Sequence, residues 1–147
     1  MRRIIWANDG TPAADRARPV IGTLVASTGA TVTVACVHRD WRIGHRPVLV
    51  EDHRPIEREL RDRVDGLRAD GIEAELVVAT DEGGHPAQLI ADLAEEQDAD
   101  LIVTGNHGKG AVAGLLTGSF TTHLLKVAHR PVLVVPWRPP VADGAST

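Results

Sequence analysis

Apolar positions along this chain fall into two alternating rhythms. Ile4 to Ala7 form a short continuous run that ends at Asn8-Asp9-Gly10, and a run of that kind, covered on both faces, predicts a buried strand. Thr11-Pro12 then offers an N-cap with proline at the first helical position, and Ala13, Ala14, Ala17, Val20, Ile21, Leu24 and Val25 recur at helical spacing. The pattern predicts a helix from about 12 to 27, bent at Pro19 and stopped by Gly29. A second strand follows over Thr31 to Val37, which is β-branched and continuously apolar toward its end.

Residues 38 to 55 carry Arg, His, Asp, Pro and Gly with little periodicity, which predicts a long loop of mobile or functional character and no assigned role. Ile56, Leu60, Val64 and Leu67 then recur among many charges before Gly71, predicting an exposed amphipathic helix. Glu73 to Val78 reads as the third strand, and Pro86 opens a third helix with Ala87, Ile90, Leu93 and Ala94 on its apolar face. Leu101-Ile102-Val103 gives a fourth strand, a glycine-rich stretch leads to a helix from about 119 to 128, and Pro131 to Pro136 holds the fifth. From Trp137 onward all periodicity is lost, so a domain over 1–137 and a flexible tail over 138–147 are expected.

Strands alternating with helices imply an α/β fold: one open sheet of five parallel strands with helices on both faces. Two strand orders suit such a chain, 3-2-1-4-5 and 2-1-3-4-5, and each has a switch point where ligands bind at the carboxyl ends of the strands. In the first order the crevice lies between strands one and four, which brings Asp9-Gly10-Thr11 beside the loop at Gly105.

Composition narrows the function. The chain has 147 residues, 43% of them apolar and 24% charged, which suits one globular domain with a core of its own. A net charge of −4 with three Trp, one Phe and no Tyr gives neither the basic groove nor the aromatic platforms of a nucleic-acid binder. The lone Cys36 sits in an apolar run and suits a reducing, cytoplasmic setting. No apolar run approaches the length of a membrane span.

The stretch Gly105-Asn106-His107-Gly108, nine residues, then Gly118-Ser119 follows a strand and opens a helix, with the spacing G-x2-G-x9-G-S. Glycines at 105 and 108 permit positive φ and close approach of backbone N–H groups to a phosphate, and the helix start adds a favourable dipole. Ser119 and Thr121 add hydroxyl donors, and Lys109 or His107 supplies positive charge, favouring a polyphosphate. A second reading, a plain flexible loop, fits the glycine count equally well. Neither a P-loop lysine motif nor a dinucleotide fingerprint is complete here.

With Ala99 to Thr104 before it and Arg130 to Val135 after it, this motif resembles that of the universal stress proteins. The likeness extends to Ile4–Thr11 and to Gly84-His85-Pro86, covering most of residues 2 to 136. The resemblance implies the order 3-2-1-4-5 of the adenine nucleotide alpha hydrolase-like fold, membership of the ATP-binding branch, and a homodimer. It places Asp9 and the main chain of Val37 at the adenosine end, Thr104 and Gly105 at the ribose, and Gly108, Gly118, Ser119, Phe120 and Thr121 at the phosphates. Two positions depart from the family pattern: Asn8, where a small apolar or hydroxyl residue is usual, and Phe120, where valine is usual.

Other chemistries fare less well. His38, His45 and His53 share one irregular segment but lack the spacing of a structural zinc site, and no Ser or Cys sits in a nucleophile elbow. Asp9 has two open readings: a general base or Mg2+ ligand facing phosphates, or a structural residue that caps the helix or anchors an Asx turn before Thr11. With no second acidic partner, ATP binding with slow hydrolysis at most is expected; an enzyme acting on a nucleotide or phosphorylated metabolite and a cyclic-nucleotide binder are the alternatives. Val132 to Val135 should form an edge strand that is apolar on both faces, which calls for pairing with a second copy or for cover by the tail.

Overall fold

The computed structural model describes residues 1–43, 46–49, 52–106 and 119–136. Its elements run β1 (Arg3–Ala7), α1 (Pro12–Asp15), α2 (Arg18–Thr28), β2 (Thr31–Arg39), β3 (Trp41–Ile43), β4 (Arg46–Leu49), α3 (Arg54–Ala69), β5 (Ala74–Asp81), α4 (Pro86–Glu96), β6 (Leu101–Asn106), α5 (Ser119–Val127) and β7 (Val132–Pro136). Five of the strands form one parallel sheet in the order β5-β2-β1-β6-β7. By sequence among those five this is 3-2-1-4-5, the first of the two expected orders.

Because every strand of the sheet is flanked by helices, strand residues alternate between two cores. Ile4, Trp6, Val32, Val34 and Val103 pack with Ile21 of α2 and Leu60, Val64 and Leu67 of α3. Ile5, Ala7, Ala35 and Ile102 pack on the other face with Ile90, Ala91 and Ala94 of α4 and Leu124 of α5. Each fully buried leucine or isoleucine contributes about 1.5–3 kcal/mol relative to exposure. Both faces of the centre are thus covered, which is why the strand segments read as unbroken apolar runs.

Three segments differ from the sequence expectation. The helix expected over 12–27 is two helices, because the chain steps out of helical bonding at Arg16-Ala17 just before Pro19. The expected loop at 38–55 holds the last two residues of β2, an antiparallel β3–β4 ribbon with a bulge between Trp41 and Arg42, and the start of α3 at Arg54. Pro47 within β4 marks a strand that lies outside the main sheet, where a missing N–H is tolerated. Lastly, β5 runs on to Asp81 and β6 to Asn106, three residues each past the expected ends.

The amino end of the sheet is fastened by Asp100, whose Oδ2 accepts from the backbone N–H groups of Arg2 (2.6 Å) and Arg3 (3.1 Å). These two hydrogen bonds hold the carboxyl below its ordinary value of 3.8. The folded chain therefore binds fewer protons at this group than the unfolded chain, so its contribution is complete at neutral pH and is lost as pH falls through the carboxylate range. Thermal unfolding followed from pH 7 to pH 3 is expected to show a falling midpoint, with a shallower fall for Asp100→Asn. Equal slopes for the two proteins would contradict this.

Candidate functional site

The β1–α1 corner is built by two neighbouring polar residues with separate tasks. Asn8 is buried; its N–H donates to Ala35 O (2.9 Å), its Oδ1 accepts from the Gly10 N–H (2.8 Å), and its Nδ2 donates to Asp15 Oδ1 (3.3 Å). An apolar side chain would leave the Gly10 N–H and the Asp15 carboxylate without these two side-chain bonds, which accounts for the departure at this position. Asp9 is exposed, and its Oδ1 accepts from both the N–H (3.1 Å) and the hydroxyl (2.6 Å) of Thr11. Thr11 in turn caps α1 by accepting from the Ala14 N–H (3.3 Å). Gly10 takes φ +82°, a conformation that side chains rarely adopt, to bring the chain round this corner. The Asx-turn reading of Asp9 is therefore realised, on a loop that stands at the carboxyl end of the central strand.

Beside it ends β6. Ala7 pairs with Thr104, so the Asp9 corner lies beside the carboxyl end of β6. Gly105 is a glycine for a reason that the spacing did not reveal. Its φ lies outside the left-handed region, so the expected positive φ is not what it supplies. Instead α1 lies flush on the strand: a Cβ here would stand 2.7 Å from the carbonyl carbon of Ala13 and 3.0 Å from Ala14 Cα, with the Ala13 oxygen nearer still. Trp6 completes the contact, fully buried and donating its indole N–H to Ala14 O (3.1 Å).

At α5, Ser119 is exposed on the first turn, Phe120 packs against the α4 side of the core, and Thr121 is fully buried. The bulk of Phe120 is thus absorbed by apolar packing. Val37 is half-buried and its rung in the sheet is shared with Ala79. Of the residues singled out from the sequence, Asp9, Thr104 and Gly105 converge at the β1–β6 crevice, and Ser119 to Thr121 form the helix start. His107, Gly108, Lys109 and Gly118 lie outside the described residues, as does the tail over 138–147.

Three buried polar atoms at this end of the molecule have no hydrogen-bond partner among the described residues: Asp81 Oδ2, Asn106 Oδ1 and Thr121 Oγ1. Such atoms are few in folded proteins and cost about 1–3 kcal/mol each when left unpaired, so they mark sites that call for an explanation. Asp81 also lines a cleft of about 330 Å³ with Arg39, Pro86, Ala87, Ser119 and Phe120 among its walls. Sequence reasoning missed Asp81 and Arg39. Asp81-Glu82-Gly83 reads as an ordinary polar turn, and indeed Asp81 Oδ1 accepts from the N–H groups of Gly83 and His85, both at 3.1 Å. Its burial was not legible.

On the opposite face of β2, Cys36 Sγ lies 3.9 Å from His38 Nδ1, and His38 stacks on His53 at 3.9 Å between ring centres. Glu57 Oε1 meets His38 Nε2 at 3.0 Å and Asp40 Oδ1 meets His53 Nε2 at 3.4 Å, so two histidines expected in one irregular loop tie β2 to the start of α3. Burial, aided by the charges of Asp9 and Glu57, pushes the Cys36 thiol up from 9.0 to about 11. Alkylation of the native chain at pH 8 is expected to be at least roughly a hundredfold slower than that of the chain in urea. Equal rates would refute this placement of the thiol.

The order 3-2-1-4-5, with β2 and β6 on opposite sides of β1 and with α2 and α3 on one face against α4 and α5 on the other, defines a doubly wound α/β domain of the adenine nucleotide alpha hydrolase-like type. The sequence matches the universal stress protein family over residues 1–136, and the chain belongs to that family. A universal stress protein of Thermus aquaticus is 32% identical over 138 residues, covering 91% of this chain and 98% of that protein. Matches to two Methanocaldococcus jannaschii universal stress proteins are shorter, taking in 32% and 31% of those proteins' length. Among solved structures, a universal stress protein in complex with cAMP is 26% identical with a TM-score of 0.68, over 92% of this chain and 96% of that one. A universal stress protein from Archaeoglobus fulgidus superimposes with a TM-score of 0.71 at 24% identity, over 91% of this chain and 93% of that one. No helix among the described residues is long and apolar enough to cross a membrane.

Proposed function

We propose that this chain is a single-domain, ATP-binding universal stress protein, a cytoplasmic stress-response or signalling module in which nucleotide occupancy carries the signal. The observation behind this reading is the pairing of β1 with β6 at the switch point. It sets the Asp9–Thr11 corner beside Thr104–Asn106, ahead of a helix whose first turn exposes Ser119. On this reading, Asp9, Val37, Thr104 and Gly105 hold the nucleoside. His107, Gly108, Lys109, Gly118, Ser119, Phe120 and Thr121 hold the phosphates, with Mg2+ as a companion ion. The intact G-x2-G-x9-G-S spacing favours the polyphosphate. The experiment is extraction and mass measurement of the nucleotide that co-purifies with the chain. ATP supports the reading; its hydrolysis product in quantity, with turnover above about 1 per second on added ATP, would replace it with an enzyme. The related structure with cAMP favours a second reading, a cyclic-nucleotide binder, and cAMP displacing ATP at equal concentration would support it.

The reading includes a homodimer through β7. Among the described residues this strand ends the sheet, and Val132 to Val135 are each only partly buried, an apolar edge strand of the kind that pairs with a second copy. Light scattering at micromolar concentration is expected to give twice the 15.7 kDa chain mass. A monomeric mass would remove the dimer from the account.

A further inference from the structure

We propose that Arg63 of α3 is a positioning residue for the nucleotide crevice: acting through Asp15 and the Asn8 side-chain amide, it holds the β1–α1 corner in the form that receives the ligand. The inference rests on the nucleotide reading above and adds to it the residues that set the affinity of the crevice from outside. The corner needs such support. α1 has only four residues, and a helix of that length has no stability apart from what packs on it. Gly105 and Trp6 seat Ala13 and Ala14 on the sheet. A further tie comes from α3.

That tie is a chain of hydrogen bonds in which each member orients the next. Arg63 meets the Asp15 carboxylate with two bonds, Nε to Oδ1 (3.0 Å) and Nη2 to Oδ2 (2.7 Å), a planar fork that leaves neither group free to turn. The same Oδ1 accepts from Asn8 Nδ2 (3.3 Å), so the carboxylate decides which end of the Asn8 amide faces it. Asn8 Oδ1 is thereby turned to the Gly10 N–H (2.8 Å), at the residue whose φ of +82° bends the chain between Asp9 and Thr11. Arg63 is aimed in its turn by its own helix, Nη1 donating to Glu59 O (2.9 Å). Glu59 and Ile56 also stand over Gly10: a Cβ there would lie 3.3 Å from Glu59 Oε2 and 3.5 Å from Ile56 Cγ2. α3 thus meets the corner at both ends, Gly10 and Asp15. An exposed ion pair contributes little, but this one is bidentate, partly buried and joined to a buried amide, so it fixes geometry.

The test is titration of the full chain and its variants with ATP, at a temperature where unfolding curves show each of them folded. Under that condition a contribution to stability alone leaves the dissociation constant unchanged. Arg63→Gln is expected to weaken ATP about tenfold, the corner then holding its receptive form about a tenth of the time. Asp15→Ala should do the same, and the double variant no more than either, because the two side chains act in one chain of bonds. Arg130 provides the comparison: it makes a similar fork with Glu95 (both bonds 3.0 Å) beside Ala99, at the amino end of β6. Arg130→Gln should lower the unfolding midpoint and leave ATP affinity as it is. In the free protein, the Gly10 amide resonance should move in Arg63→Gln and stay in Arg130→Gln. Should the glutamine variant not fold, Arg63→Lys takes its place; it keeps the charge but loses the fork, and a loss of about threefold is expected. Wild-type affinity in the Arg63 variant, an unmoved Gly10 resonance, or an equal loss in Arg130→Gln overturns the inference and leaves the nucleotide reading standing. Failure of the wild-type chain to bind ATP would instead defeat the nucleotide reading, and the inference with it.

Discussion

Gly105→Ala is expected to lower the unfolding free energy by about 3 kcal/mol, and Gly105→Val to leave little folded protein. The added methyl group would meet backbone, namely the carbonyl of Ala13 and Cα of Ala14, so no rotamer change relieves the collision. Relief requires α1 to lift from β6. Since α1 begins at the Thr11 cap, lifting it also displaces the Asp9–Thr11 corner from the crevice. Urea unfolding followed by circular dichroism measures the first effect. A Gly105→Ala midpoint equal to that of the wild-type chain would show that α1 does not lie flush on the strand.

The second large effect is expected at Trp6. Its side chain is fully buried in the middle of the sheet, and truncation to alanine should cost about 3–5 kcal/mol. Phenylalanine separates the two parts of this contribution, because it keeps most of the ring but leaves Ala14 O without the indole N–H. Trp6→Phe should therefore lose about 1–3 kcal/mol in the same urea experiment. If both variants lose equally, the hydrogen bond rather than the packing holds α1 in place; if Trp6→Phe loses nothing, the bond contributes nothing to stability.

These two residues also show where the sequence was legible. Ile4 to Ala7 and Leu101 to Val103 were readable as buried strands because both their faces meet helices, leaving no polar residue to blur the run. Gly29 and Gly71 likewise mark the ends of α2 and α3, both in the left-handed conformation. The strand ends were not readable, because at the carboxyl edge of the sheet hydrophobicity gives way to polar side chains. His38, Arg39, Thr80 and Asp81 are in strands, but by composition they look like loop. The β3–β4 ribbon was hidden for a related reason: it stands apart from the five-stranded sheet and carries no long apolar run.

The site was legible in outline only. Glycine spacing assigned Gly105 to positive φ, whereas the fold packs it closely against Ala13; the adjacent small residues Ala13-Ala14 were the available clue. Asp9 was found with both its readings, and the turn hydrogen bonds to Thr11 favour one without moving it from the crevice. Asn8 looked like a departure until its two side-chain hydrogen bonds explained it. Asp81 carried no sequence signal at all, since an aspartate before Glu82-Gly83-Gly84 is ordinary turn chemistry and only the fold buries it.

The central claim is that an adenine nucleotide occupies the crevice between β1 and β6. Amide chemical shifts of the isotopically labelled chain, recorded as ATP is added, test it most directly. The account predicts saturable shifts concentrated at Asp9 to Thr11, Val37, Thr104 to Asn106 and Ser119 to Thr121, with the amino end around Arg2, Arg3 and Asp100 unmoved. An unchanged spectrum at millimolar ATP, or shifts gathered at the amino end of the sheet, would contradict it.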